Sequence, residues 1–277
     1  MRCAWKELLS ILPPWMGVEV DRYEEDLLQE LRLRIGYPTQ MRFPGRYSTG
    51  KRRVTGDDIH YCINTASRYS PWAMESAAKG FLTAPGGHRI GLCGEAVLKQ
   101  GEVSGLKKLT SLCVRVARDF PGIGQAAPKA GSLLILGPPG WGKTTLLRDL
   151  IRIRSENGQQ IAVVDQRGEL FPAGFSTGVC TDVLTGCGKP EGINMLLRTM
   201  GPGCIAVDEV TQEADCRALA EAAGCGVELL ATAHASGVED LYRRRVYRSL
   251  VDTGIFEQAL VLRRDKTWRL ERIRSCI

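Results

Sequence analysis

The sequence has no long apolar run. No window approaches the roughly 20 consecutive apolar residues that a membrane-spanning helix needs. The N-terminal segment MRCAWKELLSILPPW contains only the apolar stretch LLSIL before its two prolines, which is too short for a secretory signal. Low-complexity tracts, sustained heptads and internal repeats are also absent. We therefore expect a soluble globular protein that reaches a membrane only through a partner or a basic surface.

Histidine is scarce, and the cysteines lack metal-binding spacing. Ten cysteines occur, but no two have C-x-x-C spacing, and the three histidines do not cluster with them. This pattern argues against a zinc site. Cys113 and Cys204 lie inside apolar runs, where a reduced thiol behaves as a small apolar side chain. The cysteine usage favours a reducing cytosol.

Signals for nucleic-acid binding are also weak. The net charge is only +6 over 277 residues, and the chain has no RNA-binding aromatic signature or helix-turn-helix pattern. The densest basic run, Arg243 to Arg245, lies in a helical pattern that is compatible with a solvated face or with phosphate contacts. The composition favours mixed solvated charge, so we do not expect nucleic acid as a partner.

A proline- and glycine-rich segment divides the chain. The stretch DFPGIGQAAPKAG at 119–131 has the composition of a linker, which predicts an N-terminal domain over 1–118 and a second domain over 132–277. Before the linker we predict helices over Ala4 to Leu12 and Glu24 to Leu33, and a third helix capped by Thr55. The stretch FLTAPGGHRIGLCGEAVL predicts a hairpin. The first domain is therefore expected to be a small α+β domain.

After the linker, apolar strands alternate with helical patterns. The strands are SLLIL, IAVVD, CIAVD, ELLATA and ALVLRR, and the helical stretches include TTLLRDLIRIR, INMLLRTM, CRALAEAA and DLYRRRVYRSL. Continuous apolar strands between helices predict a parallel sheet covered on both faces. The predicted fold class is α/β, with a P-loop parallel-sheet core of the RecA/AAA+ type after the smaller α+β domain.

The stretch GPPGWGKTT matches the phosphate-binding pattern G-x-x-x-x-G-K-[ST] between a predicted strand and a predicted helix. Its glycines let backbone N–H groups converge on phosphate oxygens, and the helix adds its positive N-terminus. Lys143 is expected to reach the β- and γ-phosphates, and Thr144 to ligate Mg²⁺. Trp141 either stacks on a neighbour or is simply tolerated. The predicted ATP-binding residues are Gly137, Pro138, Pro139, Gly140, Trp141, Gly142, Lys143, Thr144 and Thr145.

Acidic residues follow a second apolar strand. CIAVDEV places Asp208 and Glu209 at a strand end, where doubly wound sheets bind their ligands. Asp208 is predicted to hold the hydration shell of Mg²⁺, and Glu209 to polarise the attacking water. A carboxylate directly after the magnesium residue favours hydrolysis over transfer to a small acceptor.

Two further strand ends carry polar residues. VVDQRGEL brings Asp165, Arg167 and Glu169 after one strand, and LLATAHA brings Thr232 and His234 after another. All of them are expected at the sheet edge that binds phosphate. His234 is either a hydrogen-bonded structural residue or a sensor of the γ-phosphate.

The motifs together resemble one family. In the second domain the resemblance is carried by the stretches GPPGWGKTTLLRDL, VVDQRGEL, MLLRTMGPGCIAVDEV, LLATAHASGVEDL and GIFEQALVLRR, and in the first domain by LQELRLRIGYPTQMRF and GFLTAPGGHRIGLCGEAVL. The sequence resembles the stage III sporulation protein AA family of endospore-forming bacteria. That family is similar in turn to the type II and type IV secretion and pilus-motor ATPases.

The resemblance implies a homo-hexameric ATPase in the mother-cell cytoplasm, docked on membrane-embedded channel proteins between mother cell and forespore. It maps the Asp-box acid of the secretion ATPases onto Glu169, their acidic pair onto Asp208 and Glu209, and their His box onto His234, which implies catalytic roles for Glu169, Glu209 and His234. It also implies an arginine from the N-terminal domain that reaches the nucleotide, for which Arg89 and Arg115 are candidates. Such an arginine can contribute roughly 10³- to 10⁵-fold in turnover; the other interpretation of both residues is an exposed strand arginine.

Two features depart from the pattern of the family. Gln166 stands where an acidic residue is usual in the D-E-R run, which leaves open which acid orients the water. The chain also ends soon after WRLERIRS, without the nucleic-acid module that some relatives carry.

The sequence thus supports three functional hypotheses. The first is an ATP- and Mg²⁺-dependent motor ATPase, in which ATP binding closes the N-terminal domain on the core. The second is a nucleic-acid-stimulated P-loop ATPase. The third is a nucleotide-dependent scaffold that assembles a membrane complex without hydrolysis.

Overall fold

The computed structural model describes residues 2–23, 27–68, 80–172 and 175–274. The chain divides into two compact units. One comprises Met1–Asp119 with Pro172–Phe175, and the other comprises Phe120–Phe171 with Ser176–Ile277. None of the helices within the described ranges is long and apolar enough to cross a membrane.

The first unit is an antiparallel sheet covered by helices. Its helices are α1 (Trp5–Ser10), α2 (Pro14–Val20) and α3 (Gly56–Ser67), and its strands are β1 (Arg2–Cys3), β2 (Glu30–Arg34), β3 (Pro38–Phe43), β4 (Arg46–Arg53), β5 (Phe81–Thr83), β6 (Arg89–Lys99), β7 (Glu102–Arg115) and β8 (Arg118–Asp119). Six strands pair in the order β4-β3-β2-β7-β6-β5. Alternate strand residues pack with the helices in one core, which includes Leu8, Met16, Leu31, Leu33, Met41, Ile59, Ile90 and Val114. The predicted α+β character is confirmed.

The helix predicted over Glu24 to Leu33 is wrong. Residues 30–34 form β2, and residues 24–26 lie outside the described ranges. In ELRLR, Leu31 and Leu33 are buried and point to the same face, which is the period of a strand. Pairing of β2 with both β3 and β7 decides its conformation.

The predicted cap of α3 is confirmed. The Thr55 side chain accepts a hydrogen bond from the Asp58 backbone N–H at 3.2 Å, and the Asp58 carboxylate accepts one from the Thr55 backbone N–H at 2.8 Å. This reciprocal arrangement satisfies two N–H groups that the helix itself cannot.

The second unit is a P-loop α/β core. Its helices are α4 (Lys143–Glu156), α5 (Lys189–Thr199), α6 (Glu213–Gly224), α7 (Val238–Arg243) and α8 (Arg248–Asp252), and its strands are β9 (Leu133–Leu136), β10 (Ile161–Asp165), β11 (Thr181–Thr185), β12 (Cys204–Val210), β13 (Glu228–Ala233), β14 (Gln258–Leu262) and β15 (Trp268–Arg272). The sheet order is β11-β10-β12-β13-β9-β14-β15. All neighbours are parallel except the antiparallel pair β14 and β15. The predicted parallel core is confirmed.

The sheet is buried on both faces because its strands are apolar throughout. Leu133 and Ile135 face a core that contains α4 residues, whereas Leu134 and Leu136 face a second core under α5 to α8. Strand β11 was not predicted, since TDVLT has no continuous apolar run. The stretch DLYRRRVYRSL, predicted as one helix, forms α7 and α8 with a 3-10 turn between them.

The segment predicted as a linker is fastened to the second unit. The Asp149 carboxylate on α4 accepts hydrogen bonds from the N–H groups of Gly122 and Gly124 at 3.0 and 2.8 Å. Arg154, on the same helix, donates to the carbonyl oxygens of Pro128 and Gly131 at 3.1 and 2.9 Å. Residues 122–131 are therefore bound along one helix of the core.

Candidate nucleotide-binding site

The loop between β9 and α4 has the backbone of a phosphate cradle. Gly140 and Gly142 adopt positive φ angles of 75° and 100°, a region that L-residues with side chains rarely enter. A Cβ on Gly137 would lie 3.2 Å from that of Leu262, so this position also favours glycine. Helix α4 begins at Lys143 without a side-chain cap, which leaves its first N–H groups available to an anion.

The order of the strands explains how separate motifs meet. The cradle follows β9, the acidic pair lies on β12, and β13 runs between these two strands. The carboxyl ends of parallel strands share one edge of the sheet. His234, which directly follows β13, is therefore placed between Lys143 and Glu209.

One cavity brings together most of the site residues predicted in the second unit, although Gly137, Pro138 and Trp141 are not among its lining residues. Its volume is about 330 Å³, within the range of small-molecule sites. It is lined by Pro139, Gly140, Gly142, Lys143, Thr144, Thr145, Arg167, Glu169, Asp208, Glu209 and His234.

Lys143 lies inside this cavity and contacts His234. Its ammonium group donates to the carbonyl oxygen of Pro138 at 3.2 Å and lies 3.0 Å from Nδ1 of His234. Burial lowers the pKa of Lys143, and the charges of Asp208 and Glu209 oppose that shift. The lysine is thus a cation withheld from water, which strengthens its attraction to a phosphate.

Thr144 and Asp208 form a set of oxygen ligands. The Thr144 hydroxyl donates to one Asp208 carboxylate oxygen at 2.6 Å, and the Thr232 hydroxyl donates to the other at 2.5 Å. Hydroxyl and carboxylate oxygens are hard donors of the kind that Mg²⁺ takes alongside water and phosphate oxygens. The chemistry of this pair therefore fits the predicted magnesium site.

Glu209 is held by partners on both sides. Its carboxylate lies 2.7 Å from Nε2 of His234 and 2.7 Å from the Arg167 guanidinium. Burial alone would raise the pKa of Glu209, but the hydrogen bond from His234 and the charges of Arg167 and Lys143 outweigh it, so the pKa lies below its usual value. Glu209 is therefore ionised at neutral pH.

The backbone at Glu209 is unusual. Its φ is +57°, and the pairing between β12 and β13 shifts register between Val207 and Val210. The Glu209 N–H donates to the Thr232 hydroxyl at 2.8 Å instead of continuing the ladder. Bulges of this kind redirect a side chain at a sheet edge, and a left-handed non-glycine residue carries strain that often marks a functional position.

The contacts of His234 define its tautomer. A lysine ammonium can only donate, so Nδ1 of His234 accepts from Lys143, and the hydrogen on Nε2 points to the Glu209 carboxylate. The backbone N–H of His234 donates to the Tyr247 hydroxyl at 3.2 Å, and that hydroxyl donates to the Val210 carbonyl at 3.1 Å. His234 thus links Lys143 to Glu209.

The acidic residues at the end of β10 and in the loop after it have different roles. Asp165 accepts hydrogen bonds from the N–H groups of Glu169 and Leu170 at 3.0 and 2.8 Å, which shapes the loop. Glu169 lines the cavity. Gln166 accepts a hydrogen bond from Lys189 at 3.2 Å, so this lysine contacts an uncharged amide at that position.

The two candidate arginines belong to the first unit. Arg89 and Arg115 are directly paired across β6 and β7, and both are exposed. The Arg89 guanidinium also lies 5.1 Å from the centre of the Phe81 ring. Their pairing on one face of the sheet was not predicted.

Sequence reasoning missed two supporting residues. Arg167 was noted at a strand end but not as the partner of Glu209, and Tyr247 was not considered. Arg167 lies within a motif, and this could have drawn attention to it. Tyr247 carries no local signal, because its role depends on the turn that brings it under His234.

Comparison with known proteins agrees with this architecture. The ATPase DotB of Legionella pneumophila has a similar structure, with a TM-score of 0.59 and 21% identity over 94% of this chain and 80% of that chain. The pilus retraction motor PilT, solved with bound ADP, gives a TM-score of 0.61 and 16% identity over 89% and 77%. At these identities the likeness establishes the fold.

Relatedness in sequence is more specific. The family described as "Sporulation stage III, protein AA" matches residues 15–273. Stage III sporulation protein AA of Bacillus subtilis (strain 168) is 34% identical over 94% of this chain and 91% of its own length. The protein SEEDLING PLASTID DEVELOPMENT 1 of Arabidopsis thaliana is 26% identical, although this chain spans only 35% of it. The chain belongs to the stage III sporulation protein AA family.

Proposed function

We propose that this chain is a Mg²⁺-dependent ATPase that powers or assembles a secretion-like channel complex during sporulation. The observation that carries this proposal is the continuous set of contacts from Lys143 through His234 to Glu209, beside the Thr144 and Asp208 pair. It joins the group that binds a γ-phosphate to the group that can activate water. A scaffold that only binds nucleotide does not need a group that activates water.

ATP binding would use the cradle and its lysine. The N–H groups at the start of α4 donate to phosphate oxygens, and Lys143 exchanges the Pro138 carbonyl and His234 for the β- and γ-phosphates. Thr144 and Asp208 would hold Mg²⁺, which neutralises charge on the phosphate oxygens when it is bound.

Glu209 is the proposed base for the attacking water. Its lowered pKa keeps it ionised, but His234 and Arg167 both occupy its carboxylate. Each carboxylate oxygen has a further lone pair, so Glu209 can accept a hydrogen bond from water while it keeps both partners. Glu169, which lines the same cavity, is the second acid proposed to take part.

The wider assignment rests on family membership and on residues of the first unit. We propose a homo-hexamer in the mother-cell cytoplasm that attaches to membranes through channel proteins. Arg89 or Arg115 would supply positive charge to the transferred phosphate. Two adjacent exposed arginines suit that role because a delocalised guanidinium pairs with phosphate oxygens in a bidentate manner.

Steady-state hydrolysis by the purified full chain tests the proposal. The wild-type protein should release phosphate from ATP only with Mg²⁺. Glu209→Gln should bind ATP and lose about 10²- to 10⁴-fold in turnover, as expected for removal of a general base. Lys143→Ala should lose ATP affinity. Glu102→Gln, at an exposed position on β7, is the matched control and should behave as the wild type.

Equal turnover by Glu209→Gln and wild type would remove Glu209 from this role. Absence of turnover in the assembled wild type, with ATP still bound, would favour the scaffold. Titration with DNA at several salt concentrations separates the nucleic-acid-stimulated alternative, because phosphate-backbone contacts give salt-dependent binding and a changed rate. Light scattering with and without ATP measures the molar mass of the assembly and so tests the proposed homo-hexamer.

A further inference from the structure

A second cavity adjoins the phosphate cradle within the second unit. Its volume is about 320 Å³. Gly140, Gly142 and Thr145 line both cavities, so the two spaces meet at these three residues. We call it the base pocket; it is lined by Phe120, Ile123, Gly140, Trp141, Gly142, Thr145, Leu146, Leu262, Lys266 and Trp268.

The hairpin of β14 and β15 builds one wall of the base pocket. Leu262 and Trp268 are directly opposite each other across the two strands, so their side chains share a face. At the tip, Lys266 has a φ of +71°, and its ammonium group donates to the carbonyl oxygen of Gly140 at 2.5 Å. The hairpin is thereby fixed to the phosphate-binding loop.

The opposite wall comes from the start of the second unit and from the loop itself. The Trp268 indole N–H donates to the Ile123 carbonyl at 3.4 Å, which holds residues 120–123 against the hairpin. Trp141 occupies one of the unspecified positions of the G-x-x-x-x-G-K-[ST] pattern and is partly buried against the core. Three aromatic side chains, those of Phe120, Trp141 and Trp268, therefore surround one apolar space.

The polar side chains of the pocket are few. Among the lining residues, the only carriers of hydroxyl or ammonium groups are Thr145 and Lys266, and Lys266 is already bonded to Gly140. No carboxylate, amide or guanidinium is present among them. Amide and guanidinium side chains are among the groups that distinguish the edges of adenine and guanine by hydrogen bonding.

We propose that the base pocket holds the nucleobase by stacking on Trp268 and by apolar contact, and that it accepts adenine and guanine nearly equally. The proposal rests on the proposed nucleotide-hydrolysing function and names its substrate class as purine nucleoside triphosphates. Aromatic stacking is tolerant of base identity because every base presents a π face. A pocket reaches large discrimination only when its own buried polar groups are satisfied by the right ligand.

Binding measurements in the Glu209→Gln background test this with hydrolysis suppressed. Calorimetry with Mg²⁺ should give ATP and GTP dissociation constants within about tenfold of each other. Trp268→Ala should weaken ATP and GTP alike, by about 5-fold to 150-fold, which is the range that stacking one base contributes. Inorganic tripolyphosphate, which has no base, should bind that variant as tightly as the parent.

Two further variants control for the fold of the hairpin. Trp268→Phe keeps an aromatic face and should recover most of the ATP affinity. Leu270→Ala, at an exposed position on β15, should change neither nucleotide nor tripolyphosphate binding. If Trp268→Ala also loses tripolyphosphate, the comparison of ATP with GTP in the parent still decides the question.

The outcomes separate the two proposals. Preference for ATP over GTP by more than tenfold overturns the base-pocket inference and leaves the hydrolytic function standing. Unchanged ATP affinity in a folded Trp268→Ala protein also overturns it. Failure of ATP, GTP and tripolyphosphate to bind at all overturns the proposed function, and the inference with it.

Discussion

Asp149 fastens the start of the second unit to the first helix after the cradle. It is 1% exposed and accepts the N–H groups of Gly122 and Gly124. It also lies 3.1 Å from the guanidinium of Arg152, whose side chain is 6% exposed. Asp149→Ala removes all three contacts and leaves a cation in the interior without this carboxylate.

The expected cost follows from burial. Removing one partner of a buried ion pair destabilises by about 3–5 kcal/mol, since the remaining charge stays desolvated. Solvent screening does not reduce this figure here, because both side chains are buried. For a unit of this size, a loss of about 3 kcal/mol lowers Tm by about 6 °C or more.

Thermal and denaturant unfolding measure the effect. Glu156→Ala, at an exposed position on the same helix, is the matched control and should stay within about 0.5 kcal/mol of wild type. Amide hydrogen exchange at residues 120–127 should rise in Asp149→Ala, because the backbone there loses its acceptors. A loss below about 1 kcal/mol, with unchanged exchange, would refute the anchoring role.

Three other predictions are independent of this one. Burial alone would raise the pKa of Asp58, but hydrogen bonds from Trp15 and Thr55 and the charge of Arg52 outweigh it and hold that pKa below its usual value. The stabilisation by the Asp58 carboxylate is therefore present above the ordinary aspartate pKa and is lost as pH falls through the lower folded value. In denaturant titrations at several acid pH values, Asp58→Asn should make the free energy of unfolding of the first unit depend less on pH. Gly192→Ala would place a Cβ 2.7 Å from a Val164 methyl, and should cost about 1–3 kcal/mol in a denaturant titration. Chelation of Mg²⁺ should abolish hydrolysis in a phosphate-release assay, while tripolyphosphate binding, measured by calorimetry, persists more weakly.

The parallel core could be predicted because its strands are continuous apolar runs. SLLIL and IAVVD can be predicted as strands without knowing which strands they pair with, because a strand that is buried on both faces is apolar at every position. ELRLR was misassigned because a short alternating stretch is ambiguous in isolation. Residues 30–34 form a strand because they pair with β3 and β7. The pairing with β7 is a long-range contact, which the local sequence does not reveal.

The site was predictable to the extent that its chemistry is contiguous in sequence. The cradle and the Asp208 and Glu209 pair are local motifs, so their residue types identify them. Contacts between motifs depend on strand order. His234 contacts both Lys143 and Glu209 because β13 lies between β9 and β12. This strand order cannot be derived from any single stretch of the sequence.

The base pocket shows why the remaining part escapes sequence analysis. Phe120, Trp141 and Trp268 belong to three different segments of the chain, and Trp141 occupies a position of the phosphate-binding motif at which the pattern specifies no residue type. They meet because the segment after Asp119 is bound to α4 through Asp149 and to the hairpin through Trp268. The residues that join the first unit to the second thus form part of the wall against which a base would stack.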